Sequence, residues 1–290
     1  MPNLKDIRLR INSIKSTQQT TKAMKMVSAA KLRKAQDGII RLRPYANKLK
    51  DLIQNLLLGQ QEIDSPYVKS REIKNVVLVV ITSNKGLCGA FNSSIFKLVL
   101  ATIQEKYADL HKNGNVHLLC VGKKGYEFFK KTHKLLGENH DLFTKISFSQ
   151  CSEVAEILMK GFVDGKWDKV EIIYNEFKNV ATQIRKVETF LPLEVSKNEK
   201  VNTIDYIFEP NKEEILVDLI PKILKIQFYK CILDSNASEH GARMVAMDSA
   251  TENASQLISQ LKLVYNKERQ AAITKEILEI VGGAEALSSN

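Results

Sequence analysis

The sequence predicts an α/β protein in which the two ends of the chain form a long antiparallel coiled coil and the middle forms a small α/β domain with a mainly parallel sheet. Three observations carry this. Apolar residues recur at steps of three and four near both termini. Between them the pattern changes to short β-branched runs alternating with amphipathic stretches. No proline interrupts residues 238–287, and the first glycine there after Gly241 is Gly282. A helix with so narrow an apolar stripe needs a partner helix to be stable in water.

The first segment, 1–58, reads as one helix. Leu4, Ile7, Ile11 and Ile14 start the stripe, and Leu32, Ala35, Ile39, Leu42, Ala46, Leu49, Ile53 and Leu56 resume it. The intervening seam positions are Gln18, Thr21, Lys25 and Ser28, with Met24 and Val27 one step out of register. This polar interval suggests a stretch that faces something other than its partner helix. The other reading is a set of polar seam residues that fix register. Pro44 predicts a kink, because proline removes one intrahelical hydrogen bond. At about 1.5 Å per residue, Leu4–Leu58 would be roughly 80 Å long.

Residues 59–72 read as a polar linker containing Pro66, and 73–195 as the α/β domain. Asn75–Thr82 is a continuous β-branched run of the kind buried on both faces. Asn92–Tyr107 follows as a helix, Val116–Val121 as a strand, Lys123–Thr132 as a short helix and Ser152–Asp164 as a longer one. Lys169–Asn175 and Ile184–Leu191 are strands joined by a short loop around Lys178–Thr182, which predicts an antiparallel edge pair.

The last segment, 211–287, returns to helical spacing. Its stripe is Met244, Met247, Thr251, Ala254, Ile258, Leu261 and Tyr265, and then slips to Ile273, Ile277, Ile280 and Ala284. Such a slip is a coiled-coil stutter. A helix starting near Asn211 would be roughly 110 Å long. Gly282 and Gly283 are expected to fray or end it.

The chain carries a net charge of +10. Residues 1–50 hold thirteen basic side chains against Asp6 and Asp37, so the whole excess lies on the first helix. That face suits an acidic protein partner, nucleic acid, or solvent alone. Tyr45 is its one aromatic residue, which disfavours base stacking. The longest apolar run, Val76–Ile81, is too short to span a membrane, and neither a signal peptide nor a transit peptide is expected. Cys88, Cys120, Cys151 and Cys231 lie far apart without metal-ligand spacing and read as buried reduced thiols.

The loop Ser83–Asn92 (SNKGLCGAFN) follows a strand and precedes a helix, where α/β folds bind anions. It matches neither phosphate-binding glycine motif, and its glycines read as a tight turn near neighbouring backbone. No catalytic constellation, cofactor motif or metal motif is present, and the five histidines are dispersed.

Four blocks then resemble the gamma-subunit family of F-type ATP synthases: Ile14–Lys34, Thr82–Asn92, Trp167–Asn175 and His240–Leu287, the last containing GARMVAMDSATENA and the terminal GGAEAL. The resemblance covers nearly the full chain. It implies a non-catalytic rotor shaft with a Rossmann-like middle domain. Its implied partners are a hexamer of alpha and beta subunits, the epsilon subunit and the membrane c-ring. No cofactor, nucleic acid or direct small-molecule substrate is implied. The implied location is the cytoplasmic side of a bacterial plasma membrane, with H⁺ or Na⁺ flow driving rotation. Acidic beta elements would meet the basic helix at the level of Gln18–Ser28. Met24, Arg243, Gln270, Thr274 and Glu276 match positions that bear on coupling or assembly. Lys25 stands where many relatives carry an acid, so Lys25→Glu is expected to be tolerated. Ile273–Leu287 would reach an apolar sleeve in the hexamer. Val195–Asn211 holds no cysteine, so the thiol regulation of plant-type relatives is not expected.

The sequence is also compatible with two alternatives: a nucleic-acid-binding protein with a basic helical-hairpin arm, and a phosphate-ligand enzyme built on the α/β domain. Expressed alone, the shaft is expected to be poorly soluble or frayed at its ends.

Overall fold

The computed structural model describes residues 4–57, 65–69, 71–139, 141–143, 146–193 and 212–288. The chain divides into two compact units, one of residues 1–27 with 244–290 and one of residues 28–243. The expected linker at 59–72 is described only in part, and Val195–Asn211 lies outside the described residues.

Helix α1 runs over Leu4–Leu57 and is continuous through Pro44. Strand β1 (Val76–Ile81) leads into α2 (Phe91–Lys106) and the short α3 (Ala108–Lys112). Strand β2 (Val116–Val121), α4 (Lys123–Phe129) and β3 (Lys134–Asn139) follow. Then come α5 (Phe148–Val163), β4 (Lys169–Phe177), β5 (Gln183–Leu191) and α6 (Lys212–Ser288). Both terminal helices end within a residue of their expected limits, Leu57 of α1 against 58 and Ser288 of α6 against 287. That helix runs across Gly282 and Gly283 rather than ending there. A helical glycine costs about 1 kcal/mol relative to alanine, which the good helix formers around this pair offset.

The sheet order is β3-β2-β1-β4-β5, with every pairing parallel except β4–β5. Strand β3 and helix α3 are absent from the sequence reading. The β3 sequence, KLLGEN, has no β-branched residue and pairs with one neighbour only, so neither composition nor burial marks it. Helix α5 starts a turn earlier than expected because Ser147 caps it, its Oγ accepting from Gln150 N at 3.4 Å. The β4–β5 turn is closed by Asn179, whose Oδ1 accepts from the backbone N–H groups of Ala181 and Thr182.

Alternate side chains of each central strand enter opposite cores. Val76, Leu78 and Val80 pack with Ile95, Val99, Ile103 and Phe129 from α2 and α4. Val77, Val79, Ile81, Ile172 and Tyr174 pack with Leu158, Met159 and Phe162 of α5. Leu216, Ile220, Leu224, Phe228 and Ile232 of α6 complete this second face. The lower part of α6 is therefore a layer of the α/β core. Leu32, Ala35 and Ile39 of α1 are buried in the same unit.

Two glycines are steric requirements. A Cβ at Gly122, where φ is +105°, would lie 2.1 Å from the Thr82 carbonyl oxygen. One at Gly161 would lie 1.9 Å from Cζ2 of Trp167, whose indole N–H donates to the Leu158 carbonyl at 2.8 Å. Gly161→Ala must displace that ring and is expected to cost about 1–3 kcal/mol. Urea unfolding followed through Trp167, the single tryptophan, measures this.

Candidate functional site

The sheet order reverses at β1. Helix α2 leaves β1 across one face towards β2, while α5 on the other face leads to β4. This reversal opens a crevice at the carboxyl ends of β1 and β4, where α/β proteins commonly hold ligands. Here α6 fills it. Ser238 Oγ donates to the Asn175 carbonyl at 3.0 Å. Gly241 lies against Phe177 and Val180, where a Cβ would still be 3.5 Å from the nearest atom. Arg243 donates to the carbonyls of Gly86 and Lys85, and pairs with Glu239 one turn earlier.

The loop after β1 is shaped by its own polar groups. Asn92 accepts from Ser83 N at 3.0 Å and donates to Ser83 Oγ at 2.7 Å. Ser83 Oγ donates to the Lys85 carbonyl at 2.7 Å. Leu87 and Gly89 take positive φ. These turns aim the carbonyls of Lys85 and Gly86 at the guanidinium. The loop that resembles an anion cradle presents acceptors to a cation instead. The expected tight turn is present, and the neighbour it meets is a side chain of the last helix.

Burial sets the charges here. It pushes the Glu239 carboxyl up, against the opposing pull of Arg243 and Lys31. Burial, with the positive charges of Lys31 and Arg243, pushes His240 down to about 4, so its imidazole is neutral near pH 7. All four cysteines are buried, and burial pushes Cys120 and Cys151 up to about 12. Thiols held so firmly protonated are poor nucleophiles.

The other unit is a helix pair. Ile7 and Ile11 of α1 and Met247, Ala254 and Ile258 of α6 are buried in its seam. Arg8 donates to Tyr265 OH at 2.9 Å, Thr21 and Thr251 share a hydrogen bond of 2.8 Å, and Lys25 pairs with Asp248 at 2.5 Å. Residue numbers fall along α6 as they rise along α1, so the pair is antiparallel. The polar interval is thus corrected in one respect: Thr21 and Lys25 face the partner helix and are satisfied by it. The groups turned outward are Met26 (62% exposed) and Val27, with Lys15 and Lys22 beside them.

In this register Leu4 falls near Glu268, and α6 continues well beyond it. Ile273, Ile277, Leu278, Ile280 and Val281 are exposed along that extension. Gln270 and Thr274 share one face of it, Thr274 Oγ1 donating to the Gln270 carbonyl at 2.9 Å, and Glu276 lies on another, all three exposed. Met24 of α1 is half-buried. The six sequence-derived residues therefore do not form one site. Met24 and Lys25 belong to the helix pair, Gln270, Thr274 and Glu276 to its extension, and Arg243 to the sheet-end crevice. Sequence reasoning missed Glu239, although its i,i+4 spacing to Arg243 is a visible signal. It also missed Asp248 and Asp234, whose roles depend on the pairing register.

No helix among the described residues is long and apolar enough to cross a membrane. No group of three or more potential ligands suited to a metal ion occurs among them.

A family model described as ATP synthase matches residues 3–287. The chain is 54% identical to the ATP synthase gamma chain of Cytophaga hutchinsonii, over the whole of both chains. It is 54% identical to that of Flavobacterium johnsoniae, over 99% of this chain and all of the relative. Among solved structures it is similar to a chain of the Tetrahymena thermophila mitochondrial ATP synthase central stalk and c-ring. There the TM-score is 0.57 at 26% identity, over 80% of this chain and 99% of that one. A chain of the Euglena gracilis mitochondrial enzyme shares the fold at TM-score 0.68 and 23% identity, over 98% and 94%.

Two outcomes follow from this geometry. Lys25→Glu sets two acids against each other across the helix pair. Both side chains are partly exposed, so the expected loss is about 0–1 kcal/mol. The exchange of both charges, Lys25→Glu with Asp248→Lys, should recover it in a double-mutant cycle of urea unfolding. The second concerns His240. Its folded-state pKa is depressed, so the unfolded chain takes up the proton first and stability falls as pH drops below about 6.5. Glu239 and Asp234, pushed up by burial, act in the opposite sense. Comparison with His240→Gln isolates the histidine. From pH 7 to 4.5 the wild-type chain should lose about 2 kcal/mol relative to the variant.

Proposed function

The chain belongs to the gamma-chain family of ATP synthases, and on that premise we propose that it is the central shaft of a rotary ATPase, turning with a membrane c-ring inside a hexamer of alpha and beta subunits. The observation that carries this is the pairing of an unbroken 77-residue helix with a sheet-end crevice filled by that helix's own side chains. The α/β domain presents a docked shaft where an enzyme of this topology would hold a ligand. The chain is a non-catalytic subunit. Its role is to show different surfaces in turn to the three beta subunits. Each surface favours a different nucleotide affinity, a population shift imposed by contact.

The surface of the helix pair suits that role. Exposed basic residues attract acidic partners over distance without deep burial, and solvated ion pairs worth about 0–1 kcal/mol each let the surfaces slide. The exposed Ile273–Val281 face fits an apolar collar. Epsilon and the c-ring would meet the α/β domain, placing the chain at the cytoplasmic side of a bacterial plasma membrane. Met24, Lys25, Arg243, Gln270, Thr274 and Glu276 are the proposed coupling residues. Met24 and Lys25 lie in the helix pair, Arg243 seats α6 on the loop after β1, and the other three face outward. The nucleic-acid reading draws no support from the comparisons, and Tyr45 remains the one aromatic on the basic helix.

Co-expression with the alpha and beta subunits of the same organism tests the proposal. One copy of this chain should co-elute per hexamer and raise steady-state ATP hydrolysis. Failure to associate with folded partners would sink it. In the assembled membrane enzyme, Met24→Lys adds a charge at the helix-pair surface. Protons pumped per ATP are expected to fall, while the subunit remains at one copy.

A further inference from the structure

We propose that Arg43, with Asp234 and the carbonyl of Phe177, forms a torsional lock that holds α1 against both α6 and the sheet, so that the α/β domain and the helices seated on it turn as one body. This rests on the rotor reading above.

Twist applied to the α/β domain enters α6 directly. That helix is a layer of the core. It is also tied by Gln227, which donates to Glu188 at 2.8 Å and to the Thr189 carbonyl at 3.3 Å, and by Ser238 to Asn175. The position of α1 is different. In this unit it packs through Leu32, Ala35 and Ile39, with Gly38 facing Leu233. Apolar burial is non-directional. It resists separation of two helices far better than it resists one slipping around the other. Sharing a twisting load requires a directional bond between α1 and the body that is driven.

Arg43 supplies one. Its Nη2 donates to the Phe177 carbonyl at 3.1 Å, at the last residue of β4, and reaches Asp234 Oδ1 on α6 at 3.4 Å. One guanidinium thus joins three elements. Asp234 is wholly buried, and its second oxygen has no hydrogen-bond partner. Lys230 also attracts this carboxylate and Glu176 repels it, but the hydrogen-bonded cation is Arg43. A buried carboxylate stripped of its cation is strongly unfavourable, which holds the guanidinium in place. The Arg43 side chain itself is 45% exposed, so its removal leaves no core cavity.

The test uses the assembled membrane enzyme containing Arg43→Ala, Arg43→Lys or Asp234→Asn. Asp234→Asn keeps shape and hydrogen-bonding capacity while removing the buried charge. With the hexamer immobilised and a probe on the α/β domain, the angular spread of the stalled rotor is recorded beside ATP hydrolysis and protons pumped per ATP. Arg43→Ala and Asp234→Asn should retain one copy of the subunit and near-normal hydrolysis. They should widen the angular spread and lower pumping per ATP against an opposing gradient by about threefold. Arg43→Lys should recover part of both. An unchanged spread and pumping ratio in the two disruptive variants would overturn the lock. So would loss of the subunit, or hydrolysis and pumping falling in proportion, since those mark a residue that only stabilises the fold. If the wild-type chain fails to assemble or pump, the rotor reading itself is what fails.

Discussion

The burial of Leu216, Ile220, Leu224, Phe228 and Ile232 against the sheet is the interaction on which the remaining structure depends. Without it, one sheet face carrying Val77, Val79, Ile172 and Tyr174 would lack half its cover. Each large apolar side chain so buried is worth about 1.5–3 kcal/mol, against a typical total of about 5–15 kcal/mol for a domain. The same packing decides where α6 crosses the strand ends. That crossing brings Ser238, Gly241 and Arg243 to the crevice at β1 and β4. It also brings Asp234 within reach of Arg43. A single packing choice therefore removes the fold's usual ligand site and replaces it with a seat for a helix.

The helix pair follows a different economy. Its seam is apolar at Ile7, Ile11, Ala254 and Ile258, and polar at Thr21, Lys25, Asp248 and Thr251. Small apolar contacts at every level would hold the helices more tightly. They would also allow neighbouring registers of similar energy. Directional pairs such as Arg8–Tyr265 and Lys25–Asp248 suit only one alignment. The cost is lower cohesion. The outward surface is then left free to carry Met26, Val27 and a band of lysines.

Much of this was legible in the sequence. Strands β1, β2, β4 and β5 announced themselves through β-branched runs, and the terminal helices through their three-four spacing. What escaped had physical reasons. Strand β3 pairs with one neighbour and carries Lys134, Gly137 and Glu138, so burial leaves no pattern in it. The extra turn of α5 depends on one serine oxygen. The orientation of Lys25 depends on which α6 residue stands opposite, and that is set by register, which periodicity alone leaves open. For the same reason, the acid that Lys25 meets, Asp248, is visible only in the structure. Glycine at 282 and 283 suggested an end that the flanking alanines and leucines override.

The order of the elements along the chain has a consequence for how the protein is made. Helix α1 emerges first from the ribosome, and the α6 residues it packs against lie about 190 to 260 positions later, as Arg43–Asp234 and Arg8–Tyr265 mark out. The strands come next, but the α6 face that closes their core begins at Leu216. Contacts of such long range are slow to form, and the chain must travel through translation with apolar surface uncovered. Neither the basic helix nor the sheet can complete itself before the first part of α6 has been made. Folding is therefore a late, nearly simultaneous closure by the last helix, and a chain cut short anywhere before residue 232 would leave both of its earlier parts exposed to chaperones and proteases.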